Sequence, residues 1–171
     1  MIDCCIALDS NDWVGCFSSG VFWTIFYLLL VNQIVDSFPS SRTKCADGST
    51  QAELCVCLIH QIGLCGALLW AVLFLHIDND WDDWWKDGPV YAFTLERQVQ
   101  LAIFGYELKD FAYGCVHWTW IVHHSFTLFG CVFVLLMPAG LGLLTLNGIF
   151  AELGSAVYNA SMLCPSGASK W

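Results

Sequence analysis

Apolar residues run in blocks along this chain, and the polar breaks between the blocks divide it into five helical stretches. The first block, about Val14 to Val35 (VGCFSSGVFWTIFYLLLVNQIV), carries no charge. Roughly 20 apolar residues suffice for a helix to cross a bilayer. Asp36 to Gln51 is a polar loop with Pro39, Gly48, several serines, Arg42 and Lys44. A second span covers about Ala52 to Ile77 and is interrupted by His60 and Gln61. After the loop DNDWDDWWKDGP, the mixed segment Tyr91 to Gln100 predicts a helix leading into a third apolar stretch, about Leu101 to Gly114. That stretch holds Tyr106, Glu107, Lys109 and Asp110. The fourth span, about Trp118 to Met137, contains His123 and His124. Met137-Pro138-Ala139-Gly140 marks a stop and restart. The fifth span, about Leu141 to Leu163, includes Glu152, Tyr158 and Asn159. The pattern predicts an all-α fold, a multi-pass transmembrane bundle of about five membrane helices forming a single domain over residues 1–171.

Composition agrees with that reading. Of 171 residues 57% are hydrophobic and only 12% charged, with a mean hydropathy of +0.62; a soluble domain carries about 25% charged residues. The net charge of -9 does not imply a cationic partner, because most acids fall outside the apolar runs. Nothing in the sequence points to nucleic acid. Trp13, Trp23, Trp70, Trp81, Trp84, Trp85 and Trp118 stand at or near the ends of apolar runs, where an indole anchors at the membrane interface. Cys16, Cys55, Cys57, Cys65, Cys115 and Cys131 lie within apolar stretches and read as small buried hydrophobes, without zinc-site spacing. The N-terminus lacks the basic segment of a cleaved signal peptide. The sequon at Asn159 ends an apolar run, which argues against glycosylation. Asp78, Asp80 and Asp82 alternate as in a calcium loop, but Asp83 and Pro89 stand where an EF-hand needs glycine and glutamate. Arg42 and Lys44 on one loop oppose Lys86 and Arg97 on the other, so orientation stays open.

The chemistry rests on polar residues at membrane depth, which cost at least a few kcal/mol each and are seldom idle. They are His60, Glu107, Lys109, Asp110, His117, His123, His124, Glu152 and Asn159. Glu107 and Lys109 are expected to reach outward toward headgroups, leaving Asp110 as the informative member of its group. On one continuous helix, Tyr106, Asp110, Tyr113, His117, Trp120 and His124 would share a stripe. A break near Gly114 would instead give two short faces on adjacent helices. Both arrangements put Asp110 and at least one histidine inside the bundle. A neutral imidazole there accepts a proton from an attacking group, and a carboxylate, Asp110 or Glu152, would fix its tautomer. The plainer alternative has one histidine on a backbone carbonyl and the other at the interface. No HxxxH or HxxHH box of the membrane di-iron enzymes is present, so no metal and no cofactor are expected. The rival is a single Zn²⁺ on Asp110, His117 and His124.

The ordered set His60, Gly105-Tyr106 with Asp110, His123-His124, Glu152-Leu153-Gly154-Ser155 and Asn159 resembles the TLC domain family, the homology region shared by TRAM, Lag and Cln proteins. The resemblance runs over about Glu53 to Asn159. It implies a multi-pass protein of the endoplasmic reticulum or a related endomembrane, with membrane lipids as partners. Ceramide synthases of that family pair their histidines with a later paired-aspartate segment. Here Glu152-Leu153 stands in its place, similar to the branch of lipid regulators. The chain stops soon after Asn159, where members of the family continue through further helices, so a fragment or reduced form is expected. Two readings follow. The favoured one is a protein of lipid binding, sensing or homeostasis, with His60, Tyr106, His117 and Asn159 lining the lipid site. The alternative is an acyltransferase, with acyl-CoA as co-substrate and His123, His124, Asp110 and Glu152 as catalytic candidates.

Overall fold

A computed structural model describes residues 10–45, 48–70, 95–113, 118–136 and 141–163. Among them are five α-helices and no strand: α1 (Ser10–Ser37), α2 (Gln51–Trp70), α3 (Leu95–Tyr113), α4 (Trp118–Leu136) and α5 (Leu141–Leu163). Two of these are long and apolar enough to cross a membrane, α1 from Trp13 and α2; the apolar part of α4, Trp118–Val134, is shorter.

Local chemistry sets the helix boundaries. After α1, Pro39 opens a 3-10 turn, Pro39–Arg42, where its missing N–H costs nothing. Gly48 takes φ +89° in the following turn, a backbone shape that favours glycine. α2 then begins on a reciprocal cap. The Thr50 backbone N–H donates to Glu53 Oε2 at 2.6 Å, and the Glu53 N–H donates to Thr50 Oγ1 at 3.2 Å.

α3 is the centre of the bundle and packs against each of the other four helices. At Gly105 it meets α1 so closely that a Cβ would lie 2.6 Å from Trp23 Cβ and 2.7 Å from the Thr24 backbone nitrogen. Only a residue without a side chain permits that approach. One apolar cluster joins Tyr27, Val31, Val56 and Tyr106 across α1, α2 and α3. A second joins Leu64, Val99, Ile103, Cys131 and Ile149 across α2, α3, α4 and α5.

The structure tests several expectations. The mixed segment is helical as expected from Leu95 onward, and the helix runs without a break through the third apolar stretch to Tyr113. Trp23 is no terminal anchor. It sits midway along α1, half-buried, and its indole donates to Gln98 Oε1 at 3.1 Å. Trp13, Trp70 and Trp118 are exposed. Residues 71–94, including the acidic tryptophan-rich loop, and 114–117, including His117 and Cys115, lie outside the described residues. So does the choice between a continuous and a broken stripe.

The burial pattern is inverted relative to a water-soluble fold. Lys109 is 0% exposed and Glu107 1%, while Phe126 is 73% and Phe129 70% exposed. On α3 charged groups lie in the interior, while large apolar groups of α4 face outward.

Candidate functional site

Buried polar side chains form a connected track through the bundle. It begins on α1, where Tyr27 Oη lies 2.6 Å from His60 Nδ1 on α2. The His60 ring stacks on Tyr106 of α3, with centroids 4.4 Å apart and planes 2° from parallel. Lys109, one turn further along α3, places its ammonium 4.1 Å from the Tyr106 ring centroid, a cation–π arrangement favoured by the lack of water. The same ammonium forms an ion pair with Asp110. On the facing helix α4, His124 Nδ1 lies 3.1 Å from Glu107 Oε2 and 3.6 Å from Asp110 Oδ2.

A branch leads to α5. Cys57 is hydrogen-bonded to Tyr106, and Asn159 Nδ2 donates to Cys57 Sγ at 2.8 Å. Gln61 donates to Ser155 Oγ at 2.8 Å and is hydrogen-bonded to buried Glu152. Asn159 also reaches Gln61 Oε1, at 3.5 Å.

Helical spacing explains the convergence. Tyr106, Lys109 and Asp110 are three and four residues apart and share one side of α3, as do Cys57, His60 and Gln61 on α2. Ser155 and Asn159 are four apart on α5, as a single seam against α2 requires.

The sequence-derived residues are therefore distributed as follows. His60, Tyr106, Asp110, His124, Glu152 and Asn159 all lie on this track or its branch. His123 is exposed, but its ring centroid is 5.5 Å from that of His124. Glu107 and Lys109, expected to reach headgroups, are instead among the most deeply buried side chains. The error came from treating a long side chain as free to leave its helix, when α3 is covered on several sides. Tyr27, Cys57 and Gln61 were not among the sequence candidates. Gln61 had a visible signal, as a second polar residue beside His60 in an apolar span; Tyr27, flanked by apolar neighbours, had none.

Two chemical features stand out. The His60 Nε2 and Glu107 Oε2 atoms are buried without a hydrogen-bond partner, the Glu107 oxygen having only the close His124 nitrogen beside it. The carboxylate facing His124 Nδ1 favours the proton on that nitrogen and leaves Nε2 with a lone pair, the arrangement of a general base.

Beside the track lies an apolar cavity of about 420 Å³ between α1, α3 and α4. Its walls include Phe17, Gly20 and Val21 of α1, Leu101 and Phe104 of α3, and Val132 of α4. Thr24, also on the wall, donates its hydroxyl to the Gly20 carbonyl at 2.8 Å. Arg97 precedes Leu101, Phe104 and Leu108 on the same face of α3, and its Nη1 reaches Cys16 Sγ, at the wall, at 3.9 Å. No family model, curated protein or solved structure matches this chain.

Proposed function

We propose that this chain is a multi-pass membrane protein that binds lipid and serves in sensing or homeostasis of membrane lipids. The observation that carries the reading is the apolar cavity between α1, α3 and α4. Its volume falls within the roughly 300–1,000 Å³ range of ligand sites, and its walls offer an apolar chain nearly everything and a polar ligand almost nothing. The guanidinium of Arg97, buried at one end of the α3 face that lines the cavity, suits an anionic headgroup. The inverted burial pattern supports the surroundings this requires, since exposed Phe126 and Phe129 are stable in hydrocarbon and costly in water. The ordered set similar to that of the TLC family supports the same reading, with an endoplasmic reticulum or related membrane as the setting and a bundle of about five spans.

The test fills the cavity. Val132→Trp and Gly20→Leu place bulk against Phe104 and Leu101, the nearest side chains to a Cβ at Gly20. Lipid co-purifying with the full chain, measured by mass spectrometry after detergent extraction, is expected to fall about tenfold, as a loss of about 1.4 kcal/mol in binding implies. Unchanged lipid content in both folded variants would remove the reading.

The contact of His124 with Glu107 favours one second reading, an acyltransferase in which His124 takes the proton from an attacking amine. Consumption of acyl-CoA in the presence of a long-chain amine, lost in His124→Ala, would establish it. Absence of turnover by the wild type would dismiss it and leave lipid binding untouched.

A further inference from the structure

We propose that Glu107, His123 and His124 form a binding site for one divalent transition-metal ion of the zinc type, with one coordination position left open. One ligand atom from each of the three residues lies within 4.8 Å of the others. For bonds of about 2.0–2.2 Å to nitrogen and oxygen, tetrahedral ligand atoms stand about 3.4 Å apart, so the group needs only a modest contraction. Neighbouring residues on a helix differ by about 100° in direction. His123 and His124 therefore point to either side of the line between α4 and α3, and Glu107 meets them from α3.

Three further observations point to a cation. Glu107 Oε2 is a buried acceptor with no hydrogen-bond partner, 3.1 Å from His124 Nδ1. An unsatisfied carboxylate oxygen in a site shielded from water is costly, and a metal ion satisfies it. Charge bookkeeping agrees. The Lys109 ammonium pairs with Asp110, so among the described residues Glu107 has no Lys or Arg partner of its own. Asp110 Oδ2 lies 3.6 Å from the same His124 nitrogen and adds negative charge that favours a cation beside it.

The donor set selects the ion. Two imidazoles and one carboxylate suit zinc or iron(II) rather than magnesium or calcium, which prefer oxygen alone. Three protein ligands leave a fourth position for water or a lipid oxygen, the pattern of a catalytic rather than a structural site. His123 is exposed, so the site opens on its side. This set differs from the Asp110, His117 and His124 combination suggested by sequence spacing, in which His117 lies outside the described residues; Glu107 brings α3 to both histidines. The inference does not depend on the cavity or on lipid binding.

The full chain, purified in detergent and stripped with a chelator, would be titrated with Co²⁺ as a spectroscopic stand-in for Zn²⁺. The expected result is one Co²⁺ per chain, with visible ligand-field absorption that Zn²⁺ abolishes. His123→Ala and Glu107→Gln should each weaken binding by at least about tenfold, the lower end for disturbing a metal's surroundings. Asp110→Asn should weaken it less. Because His123 is exposed, its alanine variant should retain helicity and a single elution peak even if Glu107→Gln does not. Absence of stoichiometric Co²⁺ in the folded wild type would overturn the proposal, as would unchanged affinity in folded His123→Ala.

Discussion

The seam between α2 and α5 and the junction between α3 and α4 both bury polar groups, but they treat them differently. In the seam, Cys57, Gln61, Ser155 and Asn159 are neutral groups joined by hydrogen bonds, and the Gln61 amide is used at both ends. At the junction, Glu107, Lys109, Asp110 and His124 are ionisable, and the Glu107 Oε2 atom lacks a hydrogen-bond partner. A satisfied neutral seam holds two helices in register and asks for nothing more. A charged cluster with an open acceptor is costly as it stands, and such a cluster is retained where a proton, ion or substrate uses it. The contrast separates the glue of this bundle from its chemistry.

Breaking the junction should have the largest effect. Lys109 is fully buried, and its ammonium serves both Asp110 and the Tyr106 ring. Lys109→Met keeps the length and removes the charge, leaving Asp110 buried beside Glu107. Removing one partner of a buried pair costs about 3–5 kcal/mol. Thermal unfolding in detergent should show the greatest loss here. Lys109→Met/Asp110→Asn should recover part of it, and a double variant no better than the single one would mean that the pair is not what holds Lys109 in place. The next largest effect belongs to neither region but to the contact that fixes α3 between them. Gly105→Ala inserts a methyl where Trp23 and the Thr24 backbone already stand, and overpacking of this kind costs about 1–3 kcal/mol. It should lower the melting temperature without altering the ligand set of Glu107, His123 and His124. A variant as stable as wild type would show that α1 and α3 can separate freely at that point.

How much of this was legible in the sequence depended on the helix. The first and last blocks stand out because apolar residues dominate them between clear polar or turn-forming breaks, and α1 and α5 contain Val14–Val35 and Leu141–Leu163 in full. α3 was expected to be helical, but Glu96, Arg97, Gln98 and Gln100 made its first half look like a mixed segment separate from the apolar stretch that follows. It is a single helix because four neighbours surround it and its polar groups find partners there, which no local window can register. The site was legible as a set of residue types. His60, Asp110, His124 and Glu152 were singled out because an ionisable group in an apolar run is conspicuous. Their partners were not conspicuous. Tyr27 and Cys57 look apolar on a hydropathy scale, and Glu107 was assigned to the wrong surroundings because burial depends on helices distant in sequence.

The smallest expected effect tests the other half of the comparison. Ser155→Ala removes the acceptor for Gln61, and the loss of one hydroxyl leaves α2 packed against α5. A hydrogen bond inside a protein contributes about 1 kcal/mol net. The loss should therefore be about 1 kcal/mol or less, because Gln61 keeps its bond to Glu152 and its contact with Asn159, and Asn159 still donates to Cys57 at 2.8 Å. Co²⁺ affinity and co-purifying lipid should both stay at wild-type levels, since neither the ligand set nor the cavity walls include this residue. A fall in either would mean that the seam is coupled to the junction through Cys57 and Tyr106. The two regions would then be one site, with Glu152 inside it rather than beside it.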